Sequence, residues 1–140
     1  VKKAYVALVS GNVAQAEGEI DAPIARHPRH RKRMAIVQGG RDAVTRYKIV
    51  RYYSGCTLVN AYPVTGRTHQ IRLHFASLGH PLVGDSVYGK ASALVGRHFL
   101  HAAWLGFYLP PQETEWREFE SALPDDLQAV LDILQTDASG

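Results

Sequence analysis

The sequence predicts an α+β domain, a mostly antiparallel mixed sheet with helices docked on it. Three observations carry that expectation: β-prone runs separated by turn signals fill the first half of the chain, a helical period replaces them at Thr68–Leu78, and a second helical period follows Pro124. A length of 140 residues with 46% apolar side chains suits one compact core and calls for no second domain. The domain is drawn over residues 1–135, with 136–140 as a frayed tail.

The elements follow in order. Ala4 to Val9 reads Ala-Tyr-Val-Ala-Leu-Val, a short β-prone run that ends at the turn Ser10-Gly11-Asn12. Gly18 to Ala22 predicts a second short strand. Pro23 and Pro28 bracket an irregular segment, and the basic stretch from Arg26 to Arg33 falls on a hairpin-like loop before Met34-Ala35-Ile36-Val37. After a compact turn at Gly39-Gly40, Ala43–Tyr53 and Cys56–Tyr62 flank Ser54-Gly55 and predict a β-hairpin. In Thr68–Leu78, Ile71, Phe75 and Leu78 fall at i, i+4 and i+7, one apolar stripe of a helix, and Gly79 supplies its stop. Leu100–Leu109 and Thr114–Ser121 predict two further strands joined through Pro110-Pro111, with Trp104, Phe107, Trp116 and Phe119 as packing or partly exposed aromatics. Pro124 opens the last helix with Asp125 and Asp126 at its positive dipole end, and Leu127, Val130, Leu131 and Leu134 share one face.

Charge narrows the partner. Arg26, Arg29, Arg31, Lys32 and Arg33 put five cations into eight residues with no acid among them, and removing them from the net charge of +3 leaves a body of −2. A basic patch on a slightly acidic body points to a polyanion, with a solvated loop as the bland alternative. No apolar run approaches the roughly 20 residues of a bilayer span and no signal-peptide pattern opens the sequence, so a soluble protein without membrane contact is expected. The lone Cys56 can form neither an internal disulfide nor a thiolate zinc cluster, which favours a reducing, cytoplasmic setting.

Two stretches carry the chemistry: Thr-Gly-Arg-Thr-His-Gln-Ile-Arg-Leu-His at 65–74 and His-Pro-Leu-Val-Gly-Asp-Ser-Val-Tyr-Gly at 80–89. On the predicted helix, Arg72 sits about 100° from Ile71 and about 60° from Phe75, at the edge of the apolar stripe. A guanidinium there is partly desolvated and needs a carboxylate or phosphate to accept its planar fork. A structural salt bridge on a core helix satisfies that need as well as a bound nucleotide does. Arg67 and the free N–H groups of the first turn form an anion site. His69 and His74 are about 140° apart around a helix and do not share a metal ion, and His27, His30, His80, His98 and His101 close no Cys/His set. No phosphate-binding glycine loop and no Gly-x-Ser-x-Gly elbow occurs, so neither a nucleotide cofactor nor a serine hydrolase is indicated.

Gly-Arg-Thr-His-Gln-Ile-Arg-Leu-His at 66–74, with His-Pro-Leu-Val-Gly-Asp at 80–85 and Tyr-Gly at 88–89, resembles the RNA pseudouridine synthases of the RluA type. Lys3-Ala4-Tyr5-Val6-Ala7, Pro23-Ile24-Ala25-Arg26-His27-Pro28 and Leu100-His101-Ala102 match that family in order and approximate spacing, so the resemblance covers about residues 2–135. It implies isomerisation of uridine to pseudouridine in ribosomal or transfer RNA, without a cofactor or metal, by an aspartate in an Arg-Leu-Asp motif. Residue by residue, it implies that Tyr5 stacks on the target base and assists proton removal from C5, that Arg72 pairs with the aspartate, and that Ile71 lines the pocket. Apart from the resemblance, its place at the anion site puts Arg67 among the substrate-binding residues, and the five cations Arg26, Arg29, Arg31, Lys32 and Arg33, interleaved with His27 and His30, fit contact with RNA phosphates better than base readout.

The departure from the family lies in the nucleophile. The family's Arg-Leu-Asp motif precedes the position of Tyr5, and no Arg-Leu-Asp occurs in these 140 residues. Asp85 belongs to the Gly-Asp turn, and Asp21 and Asp42 lie in no matching motif. The expectation is the C-terminal part of a synthase catalytic domain, a monomer that is inactive as an isolated chain; a non-catalytic RNA-binding module is the alternative. Without the resemblance, Tyr5 reads as a core tyrosine of a strand.

Overall fold

The computed structural model describes residues 2–108 and 115–139. In chain order its strands are β1 (Lys2–Ser10), β2 (Glu17–Asp21), β3 (Ile24–Arg26), β4 (Met34–Ile36), β5 (Val44–Tyr53), β6 (Cys56–Pro63), β7 (Leu100–Tyr108) and β8 (Trp116–Glu120). Helix α1 (Gln70–Ser77) lies between β6 and β7, and α2 (Asp125–Ser139) follows β8. Six strands form one sheet in the order β2-β5-β6-β1-β7-β8, and β3 and β4 pair separately as a small hairpin. The α+β class holds, with two helices docked on a sheet in which every described pairing is antiparallel. The cause is topological: the chain leaves β6 through α1 and returns as β7, which lies on the far side of β1 and never touches β6.

Strand alternation explains how two helices share one sheet. Tyr5, Ala7 and Val9 of β1 face one side with Val59 and Ala61 of β6, and Ile71 and Phe75 of α1 pack there. Val6 and Leu8 face the other side with Cys56 and Leu58, where Leu127, Val130 and Leu134 of α2 dock. A period of two in the strands thus makes two cores, one per helix. In β5, Tyr47 and Ile49 join the first core but Tyr53 joins the second, because a register shift between Ile49 and Arg51 reverses the alternation.

Several boundaries move. The segment bracketed by Pro23 and Pro28 is not irregular: both prolines flank β3, where neither removes a ladder N–H, and the Pro23 carbonyl accepts from Val37 N at 3.1 Å. The first helix begins at Gln70 instead of Thr68, since His69 adopts left-handed φ 56° as its N-cap. Its end is as the sequence predicts: Gly79 (φ +83°) donates to Ala76 O at 3.0 Å, and His80 N donates to Phe75 O at 3.0 Å, the paired closure of a Schellman turn. The Pro110-Pro111 link, Leu109 and Thr114 lie outside the described residues. Helix α2 runs to Ser139, through most of the span that composition reads as a frayed tail, and Gly140 is outside the described residues. Of the four predicted aromatics, Phe119 is largely exposed while Trp104, Phe107 and Trp116 are half-buried.

The seam between α1 and the sheet is polar and fully paired. Gln70 Nε2 donates to Val44 O at 2.8 Å and to Thr45 Oγ1 at 2.9 Å, and its Oε1 accepts from Thr65 Oγ1 at 2.6 Å and Arg67 N at 3.0 Å. His74, wholly buried, sits 2.8 Å through Nδ1 from Thr45 Oγ1 and 3.0 Å through Nε2 from Ala22 O. Because a carbonyl only accepts, Nε2 carries the proton and Nδ1 accepts the threonine hydroxyl. Protonating His74 would turn Nδ1 into a donor and take from the Thr45 hydroxyl the acceptor of its hydrogen, and burial pushes the His74 imidazole below the ordinary range, against a smaller upward pull from the Ala22 carbonyl and Asp21. His69 and His98 are depressed as well, first by burial. A histidine held neutral by the fold destabilises it once the unfolded chain begins to bind the proton. The urea midpoint should therefore be flat above about pH 6.5 and fall as the pH drops toward about 5, levelling only below the depressed folded values. A midpoint constant across that window would show that these imidazoles titrate alike in the folded and unfolded chains.

Candidate active site

A cleft of about 540 Å³ opens where the end of β6, the arch before α1 and the start of β1 converge. Tyr5, Arg67, Ile71 and Arg72 all line it, four residues that the sequence reading singled out for one site. Among the described residues, Lys3, Pro63, Val64, Thr65, Gly66, His69, Gln70, His98 and Leu100 also line it, and no aspartate or glutamate does. A cleft of this size with an apolar base and a few converging polar groups suits a small ligand or one residue of a polymer.

Each side chain is placed by a local device. Tyr5 sits at a register shift between Ala4 and Tyr5 in the pairing of β1 with β7, the kind of irregularity that re-aims a strand side chain. It is partly buried against the first core, so one part of the ring packs while another faces the cleft. Ile71 is buried at the floor. Arg67 is fixed by its Nε, which donates to Asp42 O at 2.8 Å.

Arg72 is held most firmly. Its Nε donates to Asp85 Oδ2 at 2.9 Å and its Nη2 to Asp85 Oδ1 at 3.0 Å, a bidentate fork between side chains 12% and 0% exposed. Asp85 Oδ1 also accepts from Val87 N and Tyr88 N, each at 3.1 Å, so the carboxylate closes its own turn as it grips the arginine. Burial pushes the Asp85 carboxyl up, but the Arg72 fork and the Tyr88 and Val87 amides outweigh it and hold the group below its usual range. The same hydrogen bond to Asp85 raises Arg72, against the effect of burial. Gly84 makes the turn possible: its φ is +82°, and a Cβ there would run into the Arg97 carbonyl. The carboxylate demanded by the edge position of Arg72 is therefore supplied within the chain, by the Asp of the Gly-Asp turn.

Tyr88 completes the surroundings. Its ring lies 5.2 Å from the Arg72 guanidinium carbon, and its hydroxyl oxygen is 3.0 Å from Met34 N and 2.8 Å from His69 Nδ1. Burial first, and then Arg72, lowers His69, with Asp85 pulling the other way, and the same causes lead for His98. Both cleft histidines are thus neutral at physiological pH. By spacing alone His69 is only an unsuitable metal ligand and His98 has no role; Tyr88 and Asp85 stand in the 80–89 stretch, but nothing in their spacing ties them to Arg72.

The basic stretch stands apart from the cleft wall. Arg26 ends β3 and Arg29, Arg31, Lys32 and Arg33 form the turn to β4, all five exposed. The turn is ordered by its own backbone: His27 N donates to Arg33 O at 2.9 Å, and His27 Nδ1 accepts from Arg29 N at 3.0 Å and His30 N at 2.9 Å. Its root packs on α1 through Ile24, Leu73 and Met34, with Tyr88 against them.

A family profile described as RNA pseudouridylate synthase matches residues 1–77. The chain is 48% identical over 141 residues to an uncharacterized RNA pseudouridine synthase of Chloroflexus aurantiacus, covering 99% of this chain and 44% of that protein. It is 43% identical over 144 residues to the ribosomal large subunit pseudouridine synthase D of Nitrosomonas europaea, covering 96% of this chain and 41% of the relative. The chain thus spans less than half the length of these relatives. Among solved structures, human RNA pseudouridylate synthase domain containing 1 superposes with a TM-score of 0.74 at 30% identity, over 99% of this chain and 66% of that one.

The fork has a measurable consequence. Arg72→Ala leaves the buried Asp85 carboxylate unpaired and should cost about 3–5 kcal/mol of stability in urea denaturation. Arg72→Lys should recover only part of it, because an ammonium supplies a point charge where two parallel N–H bonds are needed. A loss within about 0.5 kcal/mol for Arg72→Ala, the range of surface substitutions, would show that the pair contributes nothing.

Proposed function

Since the chain belongs to the RNA pseudouridylate synthase family, we propose that its cleft receives a uridine of structured RNA and serves the isomerisation of that uridine to pseudouridine. The observation that carries the reading is the joint presence of Tyr5, Ile71 and Arg72 in one cleft with cationic walls from Lys3 and Arg67. In it, the Tyr5 ring lies against the base and its phenolic oxygen is the group suited to take the C5 proton. Ile71 fills the apolar floor. Arg72, its fork already engaged by Asp85, keeps its Nη1 donors for an anion entering the cleft.

The reaction needs a carboxylate to attack the sugar–base bond, and among the described residues the cleft wall has none. Asp85 does not fill that role: its side chain is fully buried and both its oxygens are engaged by Arg72, with two backbone amides on one of them. These 140 residues therefore hold the base and the counter-charge, while the nucleophile of the family's Arg-Leu-Asp motif is not in them. As the C-terminal part of a catalytic domain, they would meet that aspartate at Arg72. The same lack of a cleft carboxylate favours a second reading, an RNA-binding module without chemistry. We assign ribosomal RNA as the substrate on the strength of the Nitrosomonas europaea relative, a ribosomal large subunit pseudouridine synthase by name. A monomer in the cytoplasm suits that substrate; among the described residues no helix is long and apolar enough to cross a membrane.

The purified 140-residue chain should release no tritium from RNA labelled at uridine C5. A positioned group is worth roughly 7–11 kcal/mol of barrier, which a free carboxylate in solution does not replace. Release at a catalytic rate would mean that an acid within the chain acts as nucleophile. Restoring activity by adding an upstream Arg-Leu-Asp segment supports the enzyme reading, and continued silence with tight RNA binding supports the module.

The exposed basic turn gives a second test. Each phosphate neutralised contributes about 0.7–0.9 to the slope of log affinity against log salt, so replacing Arg29, Arg31 and Lys32 by alanine should flatten the slope by about two units. The loss should be similar across RNA sequences, since phosphate contacts position without specifying. An unchanged slope in filter binding, with an unchanged thermal melt, would return the turn to a solvated loop.

A further inference from the structure

We propose that Tyr88 is a positioning residue that mechanically couples the root of the basic hairpin to the cleft, so that engagement of the hairpin is transmitted to His69 and Arg72. The proposal rests on the RNA-binding reading for its purpose but on the geometry of one side chain for its substance. Tyr88 reaches three parts of the fold at once. Its hydroxyl oxygen accepts the Met34 amide of β4 at 3.0 Å, the same oxygen stands 2.8 Å from Nδ1 of His69, and its ring lies 5.2 Å from the Arg72 guanidinium carbon. Its own amide is tied to Asp85 Oδ1 at 3.1 Å, the carboxylate that holds Arg72. Ring, hydroxyl and backbone therefore close a loop running from hairpin to helix cap to guanidinium.

The hydroxyl makes the coupling directional. Having accepted Met34 N–H, it has one hydrogen left, and His69 Nδ1 is the acceptor placed to receive it, which leaves the His69 proton on Nε2. Met34 N–H is the backbone donor of the first residue after the basic turn, so a shift of that turn on phosphate binding moves this bond first. His69 is the one non-glycine residue with positive φ among the described residues and forms the N-cap of α1 without a capping side chain of its own. Such a strained residue persists only where its surroundings hold it, and the Tyr88 hydroxyl is that hold. His69 and Arg72 both line the cleft, so a change at the hydroxyl reaches the ligand site directly.

Protonation of His69 offers a test that needs no RNA. His69⁺ donates from Nδ1, so the Tyr88 oxygen must then accept from Met34 and His69 together, and its own hydrogen loses its partner. Groups facing the pair are Arg72 and Asp85 at the fork and His98 across the cleft. In the 140-residue chain labelled with 15N, the Met34 amide shift should follow the His69 ring titration with the same midpoint. Tyr88→Phe, which keeps the ring over Arg72 and removes only the hydroxyl, should abolish that tracking and accelerate hydrogen exchange at Met34. A short RNA stem-loop should move the His69 ring signal in the wild type and leave it unmoved in Tyr88→Phe, although the RNA still binds. Met34 tracking His69 equally in both proteins, or in neither, overturns the coupling; should Tyr88→Phe fail to fold, the wild-type titration alone decides, and His69→Gln, by removing the tracked titration, identifies its source. RNA that binds nowhere would defeat the RNA reading and leave the Met34–His69 arm to judge Tyr88.

Discussion

The fork between Arg72 and Asp85 is the constraint on which the site depends. Two side chains removed from water are costly unless each lone pair and each N–H finds a partner, and here the carboxylate is completed by the Val87 and Tyr88 amides. That requirement fixes the turn after Gly84, and the turn fixes Tyr88, whose hydroxyl in turn touches β4 and the start of α1. The stretch from His80 to Gly89 is thus more than a connection between α1 and β7. It is clamped to β1 through Ser10 N to Pro81 O at 2.8 Å and Val83 N to Leu8 O at 2.9 Å, which brings the helix, the sheet and the hairpin root into one frame.

How a helix of only eight residues carries such a load is a question of its ends. At its C-terminus, Gly79 closes the carbonyls; at its N-terminus, no side chain caps in the ordinary sense, and Gln70 reaches back to Arg67 N and Thr65 instead. This reversal bends the Thr65–His69 arch around the cleft and turns both Arg67 and His69 toward it. The cost is a left-handed His69, which is tolerated where tertiary contacts over-determine it.

Much of this was legible in the residues. Alternation and turn chemistry located the strands of the main sheet, and the i, i+4, i+7 stripe with Gly79 located α1, because those signals are local. The edge placement of Arg72 demanded an anion, and a carboxylate stands there. What escaped was non-local or hidden in exceptions to local rules. Pro23 and Pro28 suggested irregularity, yet they frame a strand; Thr68 looked like helix, yet the helix waits for the Gln70 back-bond. The identity of the Arg72 partner depends on a turn thirteen residues away, and Tyr88 depends on the hairpin and helix meeting, neither of which any spacing encodes.

The charge arrangement gives these parts a common sense. Five exposed cations crown a hairpin whose root is pinned beside a cleft that is itself walled by Lys3, Arg67 and Arg72 and by two histidines held neutral. Were the histidines charged, they would add repulsion around Arg72 and weaken the fork; kept neutral, they offer ring donors without opposing it. An anion at the hairpin would meet solvated charges indifferent to sequence, and an anion at the cleft would meet charges that are oriented and, at Arg72, partly desolvated. In such a cleft a carboxylate brought to Arg72 would find donors already fixed in place by Asp85, so no reorganisation would be needed when charge develops. The buried Asp85 of this chain therefore acts as the support for a cation, holding Arg72 at the wall of the cleft.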